Sequence, residues 1–338
     1  MVKSLALIEV NDLSKTFKVV KQKEGIKGAV QNLFSKEYNF VTAVDGISME
    51  VEQGEIVGYL GPNGAGKSTT IKMLTGILQP SSGEIRIDGL VPYVERKKIA
   101  RSIGVVFGQR TQLWWALPVC ESFKVLKEIY QVSDEDYKKK IELYNDLLDF
   151  EELYLKPVRQ LSLGQRTLCD LLAAFLHNPK IVFLDEPTIG LDVSIKHKMR
   201  QLIKDLNSIQ NTTVLLTSHD LGDVEALCER VVVINQGKKI FDDKYSVLKE
   251  LHGINKYVNA KIKDENINAN KEELKKICLE NKLQLEMLED DSVNIYYDSK
   301  KMSVLRLLEM IGNKFEEDSV GFGEIDIETV VRKIYEGE

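Results

Sequence analysis

The 338-residue chain is poor in cysteine and tryptophan, with four of the first and two of the second. Cys120, Cys169, Cys228 and Cys278 are scattered without any C-x-x-C spacing, so neither a zinc framework nor a disulfide scaffold is indicated, and reduced, buried thiols are expected. No run reaches the roughly eighteen apolar residues of a membrane span. The opening "MVKSLALIEVNDLSK" has too short an apolar stretch and no small-residue cleavage site for a signal peptide, so a cytosolic chain is expected. There is also no internal repeat and no low-complexity tract. With 43% hydrophobic and 29% charged residues, the composition is that of a globular protein long enough for two domains.

Positive charge is short at one end and concentrated at the other. Residues 255–338 hold 13 Lys/Arg against 19 Asp/Glu, which accounts for the whole net charge of -6. Such a tail is a poor surface for nucleic-acid phosphates, and no nucleic-acid partner is expected. By contrast "KTFKVVKQKEGIKGAVQNLFSK", Lys15 to Lys36, carries six Lys and one Glu. Within it Ile26, Ala29, Val30, Leu33 and Phe34 recur at helical spacing, which predicts a short amphipathic helix.

Around that segment, residues 6–10 and 41–51 read as short strands. From 54 to about 240, apolar runs such as "EIVGYL", "KIVFLD", "TVLLTS" and "RVVVINQG" alternate with helical patterns, which predicts an α/β domain with a largely parallel sheet. After residue 245 the texture changes to a smaller α+β unit of ferredoxin-like character, closing with a helix over "IETVVRKIYEG".

Three stretches carry chemistry. "GPNGAGKST" follows the strand "EIVGYL" and opens a helical run, the context in which G-x-x-x-x-G-K-S binds nucleotide phosphates. Gly61, Pro62, Asn63, Gly64, Ala65, Gly66, Lys67, Ser68 and Thr69 form this cradle; inward backbone N–H groups and Lys67 meet the phosphates, and Ser68 is placed to ligate Mg²⁺. "KIVFLDEP" is a buried-strand run ending in two carboxylates, Asp185 for the metal and Glu186 as general base toward an attacking water. "LSLGQR" reads first as a helix start, because Ser162 followed by Gln165 is a capping-box pattern. The same capped terminus is also suited to a phosphate bound by another subunit.

In their order along the chain, with "LSLGQR" before "KIVFLDEP", the motifs resemble those of the ATP-binding cassette (ABC) ATPases. "GPNGAGKST" is similar to the family's Walker A, "IVFLDEP" to its Walker B, "LSLGQR" to its signature and "GLD", ending at Asp192, to its D-loop. "VVFGQR" supplies the Q-loop glutamine, Gln109, and "TSHD" the switch histidine, His219. The resemblance implies an α/β P-loop NTPase fold over residues 1–245: a RecA-like core, a helical subdomain at 110–178, an antiparallel β subdomain and a basic insert at 16–40. An accessory α+β domain would follow at 246–338. It further implies ATP and Mg²⁺ as cofactors, with Gln109 joining Ser68 and Asp185 at the metal, and His219 sensing the γ-phosphate.

Two cassettes would associate head to tail, as a homodimer or with a paired cassette, so that Ser162, Gly164, Gln165 and Asp192 complete the opposite site. Leu163 stands where the family most often has glycine. The adenine-stacking aromatic is best matched by Phe17, with Tyr38 and Phe40 as alternatives. Both tryptophans fall just after Gln109 in "QLWWALP", the stretch that in transporter cassettes receives a short helix of the membrane partner. A permease subunit docking near Gln112, Leu113, Trp114 and Trp115 is therefore expected, with the chain peripheral on the cytoplasmic face of the membrane and export as the direction. The alternative is a soluble ABC ATPase remodelling nucleic-acid or protein complexes. One P-loop, no coiled-coil interruption and no cysteine cluster favour transport.

Overall fold

The structure is a computed structural model that describes residues 6–20, 38–108, 110–218, 220–250, 256–288, 290–299 and 301–324. It divides into two compact units, Met1–Asp243 and Lys244–Glu338. The first begins with an antiparallel pair, β1 (Ile8–Val20) and β2 (Tyr38–Val51). β3 (Ile56–Leu60) then enters a second sheet, and α1 (Lys67–Leu74) leads back to β4 (Ser82–Ile87), which completes a three-stranded sheet in the order β2-β1-β4.

The sequence pattern places the ends of this pair at Val10 and Val41, yet β1 runs on to Val20 and β2 starts at Tyr38. Lysines hide the alternation there: Lys18 sets its ammonium 3.7 Å from the centre of the Tyr38 ring, and the Thr16 and Thr42 hydroxyls meet at 3.2 Å. Cross-strand pairs of this kind hold a ladder without an apolar face. The arms of the 16–40 insert are thus strand. The helix expected over 26–34 lies outside the described residues.

After α2 (Arg96–Ser102) and β5 (Ile103–Phe107) comes a helical layer: α3 (Val119–Tyr130), α4 (Asp134–Leu147), α5 (Phe150–Tyr154) and α6 (Leu163–Ala174). β6 (Ile181–Asp185), α7 (Val193–Gln210), β7 (Thr213–Ser218), α8 (Leu221–Leu227), β8 (Arg230–Asn235) and β9 (Lys238–Lys244) follow. The large sheet has the order β5-β6-β7-β3-β8-β9 and is parallel from β5 to β8. Its central strands are buried nearly throughout, as strands covered on both faces must be. The main core joins Ile8, Val10 and Ile47 of the small sheet to Val57, Phe183 and Leu215 of the large one, with Ile71 and Leu74 of α1 in the same cluster.

In the helical layer Phe123, Tyr144, Phe150 and Tyr154 pack edge to face or tilted. The fully buried Tyr144 hydroxyl donates 2.8 Å to the carbonyl of Leu172 on α6.

The second unit contains β10 (Lys256–Lys261), α9 (Ile267–Glu280), β11 (Gln284–Met287), β12 (Ser292–Tyr297), α10 (Val304–Ile311) and β13 (Gly321–Glu324). The antiparallel order β11-β12-β10-β13 is that of a ferredoxin-like split βαβ. Val258, Ala260, Val293 and Ile295 on one face of the sheet pack with Leu274, Cys278, Leu307 and Ile311 from the helices. The helix expected over "IETVVRKIYEG" lies outside the described residues. All four cysteines are buried free thiols. Among the described residues no helix is long and apolar enough to cross a membrane.

Tyr144→Phe removes one of the donors to Leu172, and should cost about 1 kcal/mol in urea unfolding with the far-UV spectrum unchanged.

Candidate nucleotide site

The P-loop needs glycine at Gly66 for two reasons. Its φ is +106°, and a Cβ there would come 2.3 Å from the carbonyl oxygen of Ala43. The chain can therefore turn directly from the loop into α1, whose first residues carry no side-chain cap. Its backbone N–H groups and positive dipole end point where a phosphate would lie. Lys67 is buried, with its ammonium donating 2.7 Å to the carbonyl of Gly61 and lying 3.8 Å from Glu186 Oε1. Burial pulls its pKa below the ordinary lysine value, against the opposing pull of Glu186 and Asp185.

The carboxyl ends of β5, β6, β7 and β3 meet in one row. Phe107 pairs with Asp185, Asp185 with Thr217 and Thr217 with Tyr59. Asp185 Oδ1 accepts from the Thr217 hydroxyl at 2.6 Å and from Ser68 at 3.3 Å. The Thr217 hydroxyl in turn accepts from the N–H of Glu186 at 3.1 Å. Glu186 adopts φ +53°, rare for a residue with a side chain, so the chain leaves β6 by a sharp turn. Gly108 lies against that turn; its N–H donates 2.8 Å to the Asp185 carbonyl, and a Cβ would sit 2.3 Å from the Glu186 oxygen.

Of these residues Ser68, Phe107, Gly108, Asp185 and Glu186 line a cleft of about 400 Å³, together with Lys72 and Arg110 among others. Among the described residues no group of three or more His, Cys, Asp or Glu would hold an ion alone. One hydroxyl and one carboxylate are the donor set for an Mg²⁺ that arrives with nucleotide phosphates and keeps waters of its own. Gln109 and His219 lie outside the described residues; their neighbours Gly108, Arg110, Ser218 and Asp220 are all at this end of the large sheet.

A second locus forms at the start of α6. The Ser162 hydroxyl accepts from Gln165 N at 3.2 Å, and Gln165 Oε1 accepts from Ser162 N at 3.0 Å, a reciprocal capping box. Leu163 is the first residue of the helix and has no positive φ, so glycine is not required there. At Gly164 a side chain would crowd α7, because a Cβ would come 2.9 Å from the Ile195 side chain, which would have to shift. Asp192 caps α7 by accepting from Ile195 N at 3.0 Å. Ser162, Gly164 and Asp192 are thus drawn together, and none of them lines the P-loop cleft. Phe17 lies on β1 opposite Val41, 36% exposed, with Lys15 5.5 Å from its ring centre. It, Tyr38 and Phe40 all stand outside that lining.

In "QLWWALP" the structure divides the apolar residues. Leu113 is buried, whereas Trp114 and Trp115 are 40% and 54% exposed. The segment is fastened by a residue that the sequence pattern does not single out, Asp170, on the buried face of α6. Its Oδ1 accepts from the Thr111 hydroxyl at 2.9 Å and from Gln112 N at 3.0 Å, and its carbonyl from Gln112 Nε2 at 2.9 Å. One carboxylate inside the apolar run "LCDLLAAF" is the signal that would have found it. Thr217 is a second such residue, a buried hydroxyl directly after the apolar run of β7.

A family model described as ABC transporter matches residues 44–189. The chain is 33% identical over 208 residues to the ABC transporter ATP-binding protein NatA of Bacillus subtilis (strain 168), covering 62% of this chain and 84% of that protein. It is 36% identical over 216 residues to the Nod factor export ATP-binding protein I of Paraburkholderia xenovorans (strain LB400), covering 63% and 69% respectively. Among solved structures, the dimeric structure of a bacterial ABC transporter cassette superposes with a TM-score of 0.57 at 26% identity, covering 70% of this chain and 98% of that one.

Burial pushes the Asp170 carboxyl up to about 6, against the pull of the Gln112 and Thr111 hydrogen bonds and of Arg166. The folded state therefore binds this proton more tightly than the unfolded chain. The stability so gained is complete below about pH 4 and is lost as pH rises through 6. Asp170→Asn should lack that loss, so between pH 4 and pH 7 its stability relative to wild type should improve by roughly 2–3 kcal/mol, read from urea midpoints at each pH.

Proposed function

The chain belongs to the ATP-binding proteins of ABC transporters, and from that membership we propose that two cassettes pair head to tail to drive a separate membrane permease in the direction of export. One observation carries the pairing: the P-loop cleft and the capped start of α6 are separate loci within the chain. Each ATP would be completed by Ser162, Gly164, Gln165 and Asp192 of the other cassette. Closing on ATP and opening after hydrolysis then turn a chemical step into motion. Likeness to a Nod factor export protein supports the direction.

Within the cleft, Gly61 to Thr69 cradle the phosphates and Lys67 supplies a point charge. Ser68, Asp185 and Gln109 would hold Mg²⁺, whose chemistry is to neutralise charge on the phosphate oxygens. Glu186 accepts the proton of the attacking water, placed over the phosphates by its left-handed backbone. The Thr217 hydroxyl holds both Asp185 and the Glu186 N–H, so the two carboxylates keep a fixed spacing. His219 contacts the γ-phosphate and Phe17 stacks on adenine; both assignments rest on the sequence motifs.

Trp114 and Trp115, with half-exposed Leu117, form the apolar surface on which the permease docks, beside Gln112 and the buried Leu113. The chain then lies peripherally on the cytoplasmic face of the membrane. Each lysine of the Lys15–Lys36 segment near an anionic leaflet adds about 1 kcal/mol of attraction. Residues 246–338 are read as an accessory domain that follows the cassette of 1–245 in the chain.

Glu186→Gln keeps the shape of the side chain but not its basicity. It should lower ATP turnover by about a hundredfold or more and accumulate an ATP-bound dimer in size-exclusion chromatography. A variant that stays monomeric with ATP and hydrolyses at the wild-type rate would remove Glu186 from the base role. Trp114→Ala with Trp115→Ala should reduce recovery of a polytopic protein with the chain from its own membranes, weakening the contact by at least about thirtyfold. The thermal melt of the isolated variant checks that its fold is intact.

A further inference from the structure

Helix α6 connects two places that the proposed function must bring into step. Its amino end is the Ser162 cap, and Asp170 follows about two turns later. Asp170 is almost fully buried, on a helix whose Leu168, Leu171 and Leu172 are buried as well. A carboxylate is costly in such surroundings, and the hydrogen bonds its side chain accepts come from Thr111 and Gln112, in a loop distant in sequence. Thr111 and Gln112 bind one oxygen of that side chain, and Gln112 reaches past it to the helix backbone. Leu113 N–H folds back onto the Thr111 hydroxyl at 3.1 Å, so the donor that grips Asp170 also shapes the loop.

One turn nearer the cap, the Arg166 guanidinium lies 5.3 Å from the centre of the Trp115 ring. The loop therefore grips one helix at two heights, four residues apart, where side chains share a face. Backbone bonds from Arg159 N to Trp115 O at 3.1 Å and from Val158 N to Leu117 O at 3.0 Å tie the same loop to the segment leading into the cap.

We propose that Asp170 is a positioning residue that clamps Thr111–Trp115 to the signature helix, so that a push on the tryptophans moves Ser162 as part of one rigid body. The inference rests on the reading of the tryptophans as the permease contact. An apolar residue at 170 would pack as well but leave two loop donors without their acceptor. Charge-assisted hydrogen bonds are about twice as strong as neutral ones, which suits a joint that must carry force.

The test uses the full chain, alone and in the complex that it forms with its permease in its own membranes. In the complex, Asp170→Ala should lower kcat about tenfold with KM for ATP unchanged, the loss expected for hydrogen bonds of this kind. ATP turnover by the isolated variant should stay at the wild-type level. Asp170→Asn retains an acceptor oxygen for both donors and should restore kcat. Thr111→Val removes one donor and should give an intermediate loss, which keeps the test decisive if Asp170→Ala does not fold. Both tryptophans of the chain lie in this loop, so acrylamide quenching of their emission should rise in Asp170→Ala and not in Asp170→Asn. Full kcat in the complexes of Asp170→Ala and Thr111→Val overturns the clamp. So does an isolated Asp170→Ala chain that no longer turns over ATP, since the residue would then serve the cap directly. If no permease accompanies even the wild-type chain, the docking reading falls instead.

Discussion

Everything at the nucleotide end depends on the register of four parallel strands. Phe107, Asp185, Thr217 and Tyr59 stand in one row, and successive side chains alternate between the two faces of a sheet. A slip of one residue would turn Asp185 away from Ser68 and break its bond with Thr217. The row also explains how Glu186 tolerates a left-handed backbone, which costs of order 1–2 kcal/mol for a residue with a side chain. Its N–H is satisfied by both the carbonyl and the hydroxyl of Thr217, so the strained turn is pinned from the neighbouring strand. Glycine at 108 lets β5 approach the same turn without a clash.

The parts of this arrangement that were legible in the sequence are those where backbone geometry restricts residue choice. Gly66 has to be glycine, and the buried strand ending in Asp185 and Glu186 reads as a strand because both its faces are apolar. The ferredoxin-like character of the second unit was legible in its alternating strand and helix patterns, whereas its strand order came from the pairing in the structure. Single polar residues in apolar runs were not legible. Thr217 and Asp170 look like tolerated exceptions until their partners, which are remote in sequence, are known. The long arms of β1 and β2 were hidden for the opposite reason: lysines and threonines hold that pairing through cross-strand contacts rather than through burial.

The signature shows how one residue type can be misjudged from a family pattern. Leucine in place of glycine at 163 reduces backbone freedom, but the residue is helical and exposed, so no such freedom is used. The glycine that matters is Gly164, where Ile195 fills the space that a side chain would need. That contact joins α6 to α7, whose own start is capped by Asp192. The two helix ends proposed to face a partner's nucleotide are thus packed on each other and present a common surface.

Asp223 repeats the pattern of Asp170 on the other side of that contact. It is fully buried on α8, accepts from Thr188 just beyond β6, and takes Arg200 Nε of α7 at 2.7 Å. One carboxylate therefore ties the turn after Glu186 and the helix after Asp192 to the helix that follows β7. Buried charge adds little to stability and is strongly missed when a partner is removed, so it fixes position more than it holds the fold together. With Asp223 joining the turn after Glu186 to α7, Gly164 and Ile195 joining α7 to α6, and Asp170 joining α6 to the tryptophan loop, a path of inter-element contacts linked by short helix and turn segments runs from Glu186 to Trp115. In the proposed mechanism that path lets the state of the phosphate and the pose of the permease set each other. Each joint on it is made by a group whose partner lies on a different element, so the path cannot relax without breaking a contact between elements.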